Sequence, residues 1–334
     1  MGTPAQANQS YLQLGREATF GTGVAATRRL GIISDDPRPD VGVIRSRVLN
    51  NTVSRVNLYQ AGYLWRYRSL LQLNYEGLLF ILDGLQGTAT FAANGGTTTG
   101  VGPYVHTFVE KQVLNSYTLE VIQGNIPAAQ VLRLLGAKIA SARIGCKAGT
   151  DDDAVCTADV EWLAIDATPG FAITTGLTAA TELPVLFHEA STVDDGTADT
   201  WNSGLTTDVV LKEFELEVVN AVNARRFGMG RKQPLEFVRN GYQVTTMRGK
   251  KEYMKKTMLD AVLAFTAGSP KLVFGSVATK RLTFDVGTAH ITQHNNPSRD
   301  PDIIEQEFTW EAARDATNLS SLKVLAENNE SAIG

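Results

Sequence analysis

Along much of the chain, apolar and polar residues alternate with a period of two in short runs set apart by Gly, Thr, Asn and Asp. Tyr117–Val121, Phe214–Val218 and Arg281–Val286 each turn one side inward and one outward, the pattern of a half-buried strand. Two stretches carry helical spacing instead. The first helix is expected over Tyr75–Asp83, with Asn74 as N-cap, Leu78, Leu79 and Leu82 on one face, and Gly84 as its stop. The second is expected over Lys250–Ala267, burying Met254, Met258, Leu259, Val262 and Leu263, and ending at Gly268 with Pro270 beyond.

The helices stand in what reads as an internal repeat. Gly62-Tyr63 precedes the first and Gly241-Tyr242 the second, each leading to a tyrosine, Tyr75 or Tyr253, at nearly equal spacing. Arg133-Leu134 is echoed by Arg281-Leu282, and Trp162 by Trp310 at the same distance onward. Chance matching of β-rich sequence is the alternative. If the repeat holds, 1–30 is an N-terminal arm, 31–166 a first β domain with a Gly/Thr-rich insertion at 84–103, and 167–204 a linker with one strand near Leu183–His188. A second β domain then fills 205–334. The expected fold class is mainly β: tandem sandwich or barrel domains, each with one α-helix, plus extended arms and loops.

At 334 residues the chain can bury about three quarters of its unfolded surface, so it needs no staple. Its net charge of -4 gives no global reason to hold nucleic acid. Met1–Ser10 has neither the basic start nor the apolar stretch of a signal peptide, and the longest apolar run, Leu78–Leu82, is far too short to span a bilayer, so a product made in a cytoplasm is expected. Cys146 and Cys156 flank a turn-like run centred near Asp151, which would set them opposite each other; reduced thiols and a disulfide both fit.

No constellation for chemistry emerges. Gly249-Lys250 resembles the end of a phosphate loop, yet Val244 stands where its first glycine belongs. Gly228–Lys232 reads as a tight basic turn, His290 and His294 lack a local third ligand, and Asp151–Asp153 and Asp194-Asp195 lack calcium-loop spacing. The expectation is therefore no enzyme, with no catalytic, cofactor-binding or metal residues.

Leu14-Gly15-Arg16-Glu17-Ala18-Thr19-Phe20-Gly21-Thr22, followed by Arg29–Ser34, resembles the opening of major tail tube proteins of long-tailed, siphovirus-type bacteriophages. Leu82–Leu85 with Pro103–Phe108, Leu216–Asn220 and Leu322–Asn328 are similar to later parts of that family, in scattered short patterns. The resemblance implies a structural virion protein whose β domains form rings stacked into a hollow tube for DNA passage. It also implies inter-subunit contacts, with Leu14, Gly15, Glu17, Phe20, Gly21, Phe91 and Tyr104 as candidates. The implied partners are copies of itself, a tape-measure protein, tail completion and tip proteins, and transient non-specific contact with phage DNA, without a membrane. The implied location is the virion tail, after assembly in the host bacterial cytoplasm. If each chain supplies two domains to a ring of about six, the ring closes as a trimer with pseudo-sixfold character; one compound domain per chain would give a hexamer.

Two rivals remain at this stage. A virion adhesin or carbohydrate-binding β module would show loop aromatics, for which Trp201 is the candidate. A hydrolase would have to assemble side chains from several loops. The arm over Thr3–Arg29 and the 84–103 insertion are expected to pack poorly in a lone subunit.

Overall fold

A computed structural model describes residues 9–45, 58–93, 104–124, 131–150, 152–177, 183–197, 200–202, 210–224, 227–276, 280–297, 303–317, 319–330 and 333. Asp151, Pro103, Ser203 and Gly204, on which expectations rested, lie outside them, as do Thr3–Asn8. In chain order the strands are β1 (Tyr11–Arg16), β2 (Arg28–Arg45), β3 (Leu58–Gln72), β4 (Gly87–Ala93), β5 (Tyr104–Glu110), β6 (Tyr117–Ile122), β7 (Leu132–Lys147), β8 (Thr157–Ala164), β9 (Asp166–Pro169), β10 (Ala190–Asp194) and β11 (Thr200–Asn202). They continue as β12 (Leu211–Val219), β13 (Val222–Asn223), β14 (Val238–Arg239), β15 (Val244–Glu252), β16 (Ala267–Gly268), β17 (Lys271–Ser276), β18 (Lys280–Val286), β19 (Ala289–Asn295), β20 (Glu305–Ala312) and β21 (Leu322–Asn328). Helix α1 (Leu78–Gln86) follows β3, and α2 (Thr257–Ala264) follows β15. The protein is mainly β.

One antiparallel run of the larger sheet reads β2-β3-β8-β7-β12-β15-β20-β19. A branch through β1 and β6 joins β2 back to β7, so β1, β2, β3, β8, β7 and β6 close into a circuit. The smaller sheet runs β11-β10-β17-β18-β21-β5-β4, so both sheets take strands from both ends of the chain. The alternation dictates which side is covered: Phe214, Leu216 and Val218 of β12 are buried, whereas Glu213, Glu215 and Glu217 look outward. The smaller sheet lies over the apolar side, with Phe214 5.5 Å from Phe274 between ring centroids.

The strands expected at Tyr117–Val121, Phe214–Val218 and Arg281–Val286 are β6, β12 and β18. The helices differ from expectation. Tyr75 and Glu76 precede α1, Gly84 sits inside it against Ile139 and Tyr117, and the stop is Gly87 at φ +115°, a conformation open to glycine at little cost. Strand β15 carries on to Glu252, so α2 begins only at Thr257; its end is Phe265 in the left-handed region, and Met258 is its one buried residue. The expected loose arm contains β1, which pairs on both sides and buries Leu12 and Leu14. The expected linker holds β9, β10 and β11, while Pro184 and Leu186 make isolated bridges. Arg133 and Arg281 fall in different sheets, whereas Trp162 and Trp310 share one.

Candidate assembly surface

The eight-strand run has the same order twice. Trp162 lies between Tyr67 on β3 and Ile139 on β7, and Trp310 lies between Met247 on β15 and Ile291 on β19. Both tryptophans are fully buried. Each hairpin shifts register at the same place, between Ile139 and Ser141 and between Ile291 and Gln293. The strand set β2-β3-β8-β7 thus corresponds to β12-β15-β20-β19, and β7 joins β12 from Ser141↔Val219 to Lys147↔Glu213.

The outward side of this run is a ladder of charges whose sign changes from strand to strand. Arg66 and Arg68 on β3 face Asp159 and Glu161 on β8; next come Arg143 and Lys147 on β7, Glu213, Glu215 and Glu217 on β12, Arg248 and Lys250 on β15, and Glu305 and Glu307 on β20. Arg66 reaches Glu161 at 2.8 Å, Arg248 reaches Glu215 at 3.1 Å, and Arg143 lies 3.5 Å from Glu217. Lys212 sits between Glu252 at 3.2 Å and Glu305 at 3.3 Å, and Lys250 also pairs with Glu305. These bonds hold the Lys212 and Lys250 ammonium groups above, and the Glu305 carboxyl below, their ordinary ranges. Such exposed pairs contribute little each, but opposite charges on adjoining strands reinforce register. With Asp36, Asp40 and Glu311 included, carboxylates outnumber cations on this side.

Its hollows are lined by both signs; one, about 500 Å³, lies among Glu213, Glu215, Arg248, Lys250 and Asn295. Among the described residues no group of three or more His, Cys, Asp or Glu could hold a metal ion, and no helix is long and apolar enough to cross a membrane.

Among the described residues the run ends in two open edges, β2 beyond its short pairing with β1 and β19 beyond its short pairing with β16. On β2, Pro37 and Pro39 lie in continuous register with β3, so their missing N–H groups fall on the open side. That is a guard against indiscriminate edge pairing.

The residues suggested by resemblance make contacts within the chain. Glu17 is buried and accepts hydrogen bonds from Gly21 N at 2.8 Å, Gly136 N at 2.9 Å and Thr118 Oγ1 at 3.0 Å, which ties the end of β1 to β6 and β7. Gly21 adopts φ +71° to close this turn. Leu14 is in the core, and a side chain at Gly15 would strike Ala25 O. Phe20 is half-buried, edge-on to Phe237 at 6.0 Å and beneath the Lys138 ammonium. Tyr104 opens β5 opposite Asn328. Phe91 pairs with His106 across β4 and β5, and its side chain lies outside the described residues, as does that of Trp201. Cys146 and Cys156 are buried free thiols with sulfurs 2.8 Å apart. The charge ladder was missed because period-two alternation marks an outward face without revealing which strands adjoin.

No family model matches the chain, and no curated protein is similar to it in sequence.

Proposed function

We propose that this chain is a major tail tube subunit of a long-tailed bacteriophage, in which two tandem β units per chain, three chains per ring and stacked rings form a hollow conduit for DNA. The observation that carries the reading is the twice-repeated strand order, open at both ends and joined in the middle by β7 and β12. A repeat of this kind propagates naturally: β19 of one chain takes the place of β7, and β2 of the next takes the place of β12. The register of the internal junction then sets Arg38 against Asn295 and Asp40 against Gln293 of the neighbour. A front that fits a back closes a ring once the rotation per unit is fixed. In a duplicated chain one junction of each pair is intramolecular and so independent of dilution.

The charge ladder suits the inner wall. DNA sliding past it must not be held by displaced counterions, and a face with both signs already paired and carboxylates in excess offers few free cations. A tape-measure protein in the lumen during assembly and completion or tip proteins at the ends are the further partners, and the virion tail is the location. Negative-stain microscopy of the purified full chain tests this. Rings or hollow fibres about one subunit thick in the wall are expected, whereas a protein that stays monomeric across all concentrations, salts and temperatures tried overturns it.

A further inference from the structure

Two hairpins continue past the paired sheet as ribbons. Pairing of β3 with β8 ends at Trp65↔Ala164, but β2 and β3 stay paired outward to Arg45↔Leu58. In the second unit, Val219↔Val244 is the last rung of β12 and β15, and the continuation is the small ribbon β13–β14. By register, Val219↔Val244 corresponds to Asp40↔Leu64, so the strand leaving at Val41 corresponds to the one leaving at Asn220, and the strand returning at Tyr63 to the one returning at Gln243.

The second ribbon is seated on the first unit. Asn220 donates its backbone N–H to Ala140 O at 2.8 Å, and its side-chain amide to Leu85 O, in the last turn of α1, at 3.0 Å. Arg239 donates to Lys111 O at 2.6 Å just past β5, and Lys138 donates to Phe237 O at 2.8 Å. Asn220 and Phe237 are buried as a result.

The first ribbon meets the second unit near its base, where Tyr63 donates its backbone N–H to Lys232 O at 2.8 Å and its hydroxyl accepts from Gln233 at 2.7 Å, but among the described residues its outer rungs have no such seat. Val41, Val43, Ile44, Leu58 and Tyr59 are exposed, Leu58 by 66%. A two-stranded ribbon with bare apolar side chains is only marginally stable in water. In the second unit, the corner corresponding to the seat is equally bare: Leu263 is 77% and Phe265 65% exposed at the end of α2. His290, at the position of Lys138, stacks on Phe265 with centroids 4.3 Å apart, and its Nδ1 is buried with no hydrogen-bond partner among the described residues.

We propose that the outer rungs of the β2–β3 ribbon of one copy, Val41–Arg45 with Leu58–Tyr59, seat on the α2–β19 corner of the next copy, repeating between chains the contact that Asn220, Phe237 and Arg239 make with α1, β7 and the end of β5 within the chain. The inference rests on the ring reading and adds the surface that joins one chain to the next. The occupant is a second copy because the template is a contact this chain already makes with itself, in the same register, and both bare surfaces are apolar. A backbone carbonyl of the ribbon then meets His290, as Phe237 O meets Lys138. The two prolines on the open edge of β2 remove donors from the strand ladder, which leaves the ribbon as the principal grip between chains.

The test pairs Val41→Cys with Thr292→Cys in the full chain, since these positions correspond to Asn220 and Ala140. Cys146 and Cys156 are buried beside each other and do not compete. On mild oxidation of assembled protein, covalent dimers and trimers are expected from the double variant and not from either single variant. Rings without any covalent link would overturn the ribbon contact and leave the ring reading standing; no ring under any condition would overturn both. As a second arm, Leu263→Asp should raise the concentration needed for ring formation by at least about tenfold with an unchanged circular dichroism spectrum. Tyr242→Asp, at a position 91% exposed and outside both α2 and β19, should not. Equal ring formation by wild type and Leu263→Asp contradicts the proposal.

Discussion

The two helices hold corresponding places, each after the strand that pairs with a tryptophan-bearing neighbour, and yet every residue of α1 is buried while α2 buries only Met258. The difference lies in what covers them. Tyr117 of β6 packs on Phe80 and donates to Asp83, Arg16 at the end of β1 approaches Asp83 at 3.7 Å, and Asn220 caps the last turn of α1. Helix α2 leans on β19 and turns Leu263 and Phe265 outward. Helices this short gain their stability from tertiary packing of the apolar face. The contrast leaves one helix fully covered within the chain and the other bare at Leu263, the surface that the proposed contact between copies would cover.

The sharpest way to break this comparison is to charge the covered helix. Leu82→Asp, at a fully buried site, should cost more than about 4 kcal/mol and leave little folded chain, read by denaturant unfolding. Removing the clasp that holds the cover comes next. Glu17→Ala leaves the N–H groups of Gly21 and Gly136 and the Thr118 hydroxyl without their acceptor, and about 3 kcal/mol of destabilisation is expected in the same assay.

Protonation sharpens the comparison further. Burial pushes the Asp83 carboxyl above its ordinary range, against the opposing pull of Tyr117 and Arg16. A folded value above the unfolded one means that its contribution is fully present below about pH 4 and is lost as pH rises through the folded value. Wild type should therefore lose stability relative to Asp83→Asn across that rise, and a flat difference would contradict it. Glu305, held low chiefly by Lys250, behaves in the opposite sense: its contribution is present above the ordinary range and fades as pH falls. Being partly exposed, it should move stability by less than about 1 kcal/mol in Glu305→Gln. Smallest of all is Leu263→Ala in the monomer, where a change within about 0.5 kcal/mol is expected despite the side chain's size.

Much of the strand framework was legible because one-sided burial forces alternation, as in β12; β6 alternates in the same way but turns no side outward, since Thr118 and Glu120 are as fully buried as Leu119 and Val121. The helices were legible as elements but not in their limits. Gly84 looked like a stop because a glycine after apolar periodicity usually is one, yet here it lets Ile139 and Tyr117 approach the helix closely. The second helix was overextended because the Met and Leu spacing ran on from β15 without a break, and its left-handed stop at Phe265 carries no glycine. Strand β1 escaped notice because only Leu12 and Leu14 mark its core side, and it is short, with Gln13, Gly15 and Arg16 making up most of the rest. The tryptophan echo pointed to corresponding strands, whereas the Arg-Leu echo joined strands of different sheets, a distinction that needs partners and not spacing. The outward charge ladder was hidden for the same reason, since the sign alternates across strands far apart in the chain.

The central claim is that the strand order repeated within one chain continues from chain to chain. A high-resolution cross-section of the assembled tube tests it most directly. The account predicts three chains per ring, with alternating, similar but unequal β units and β19 of each chain beside β2 of the next; six identical chains per ring, or rings joined through any other edge, would contradict it.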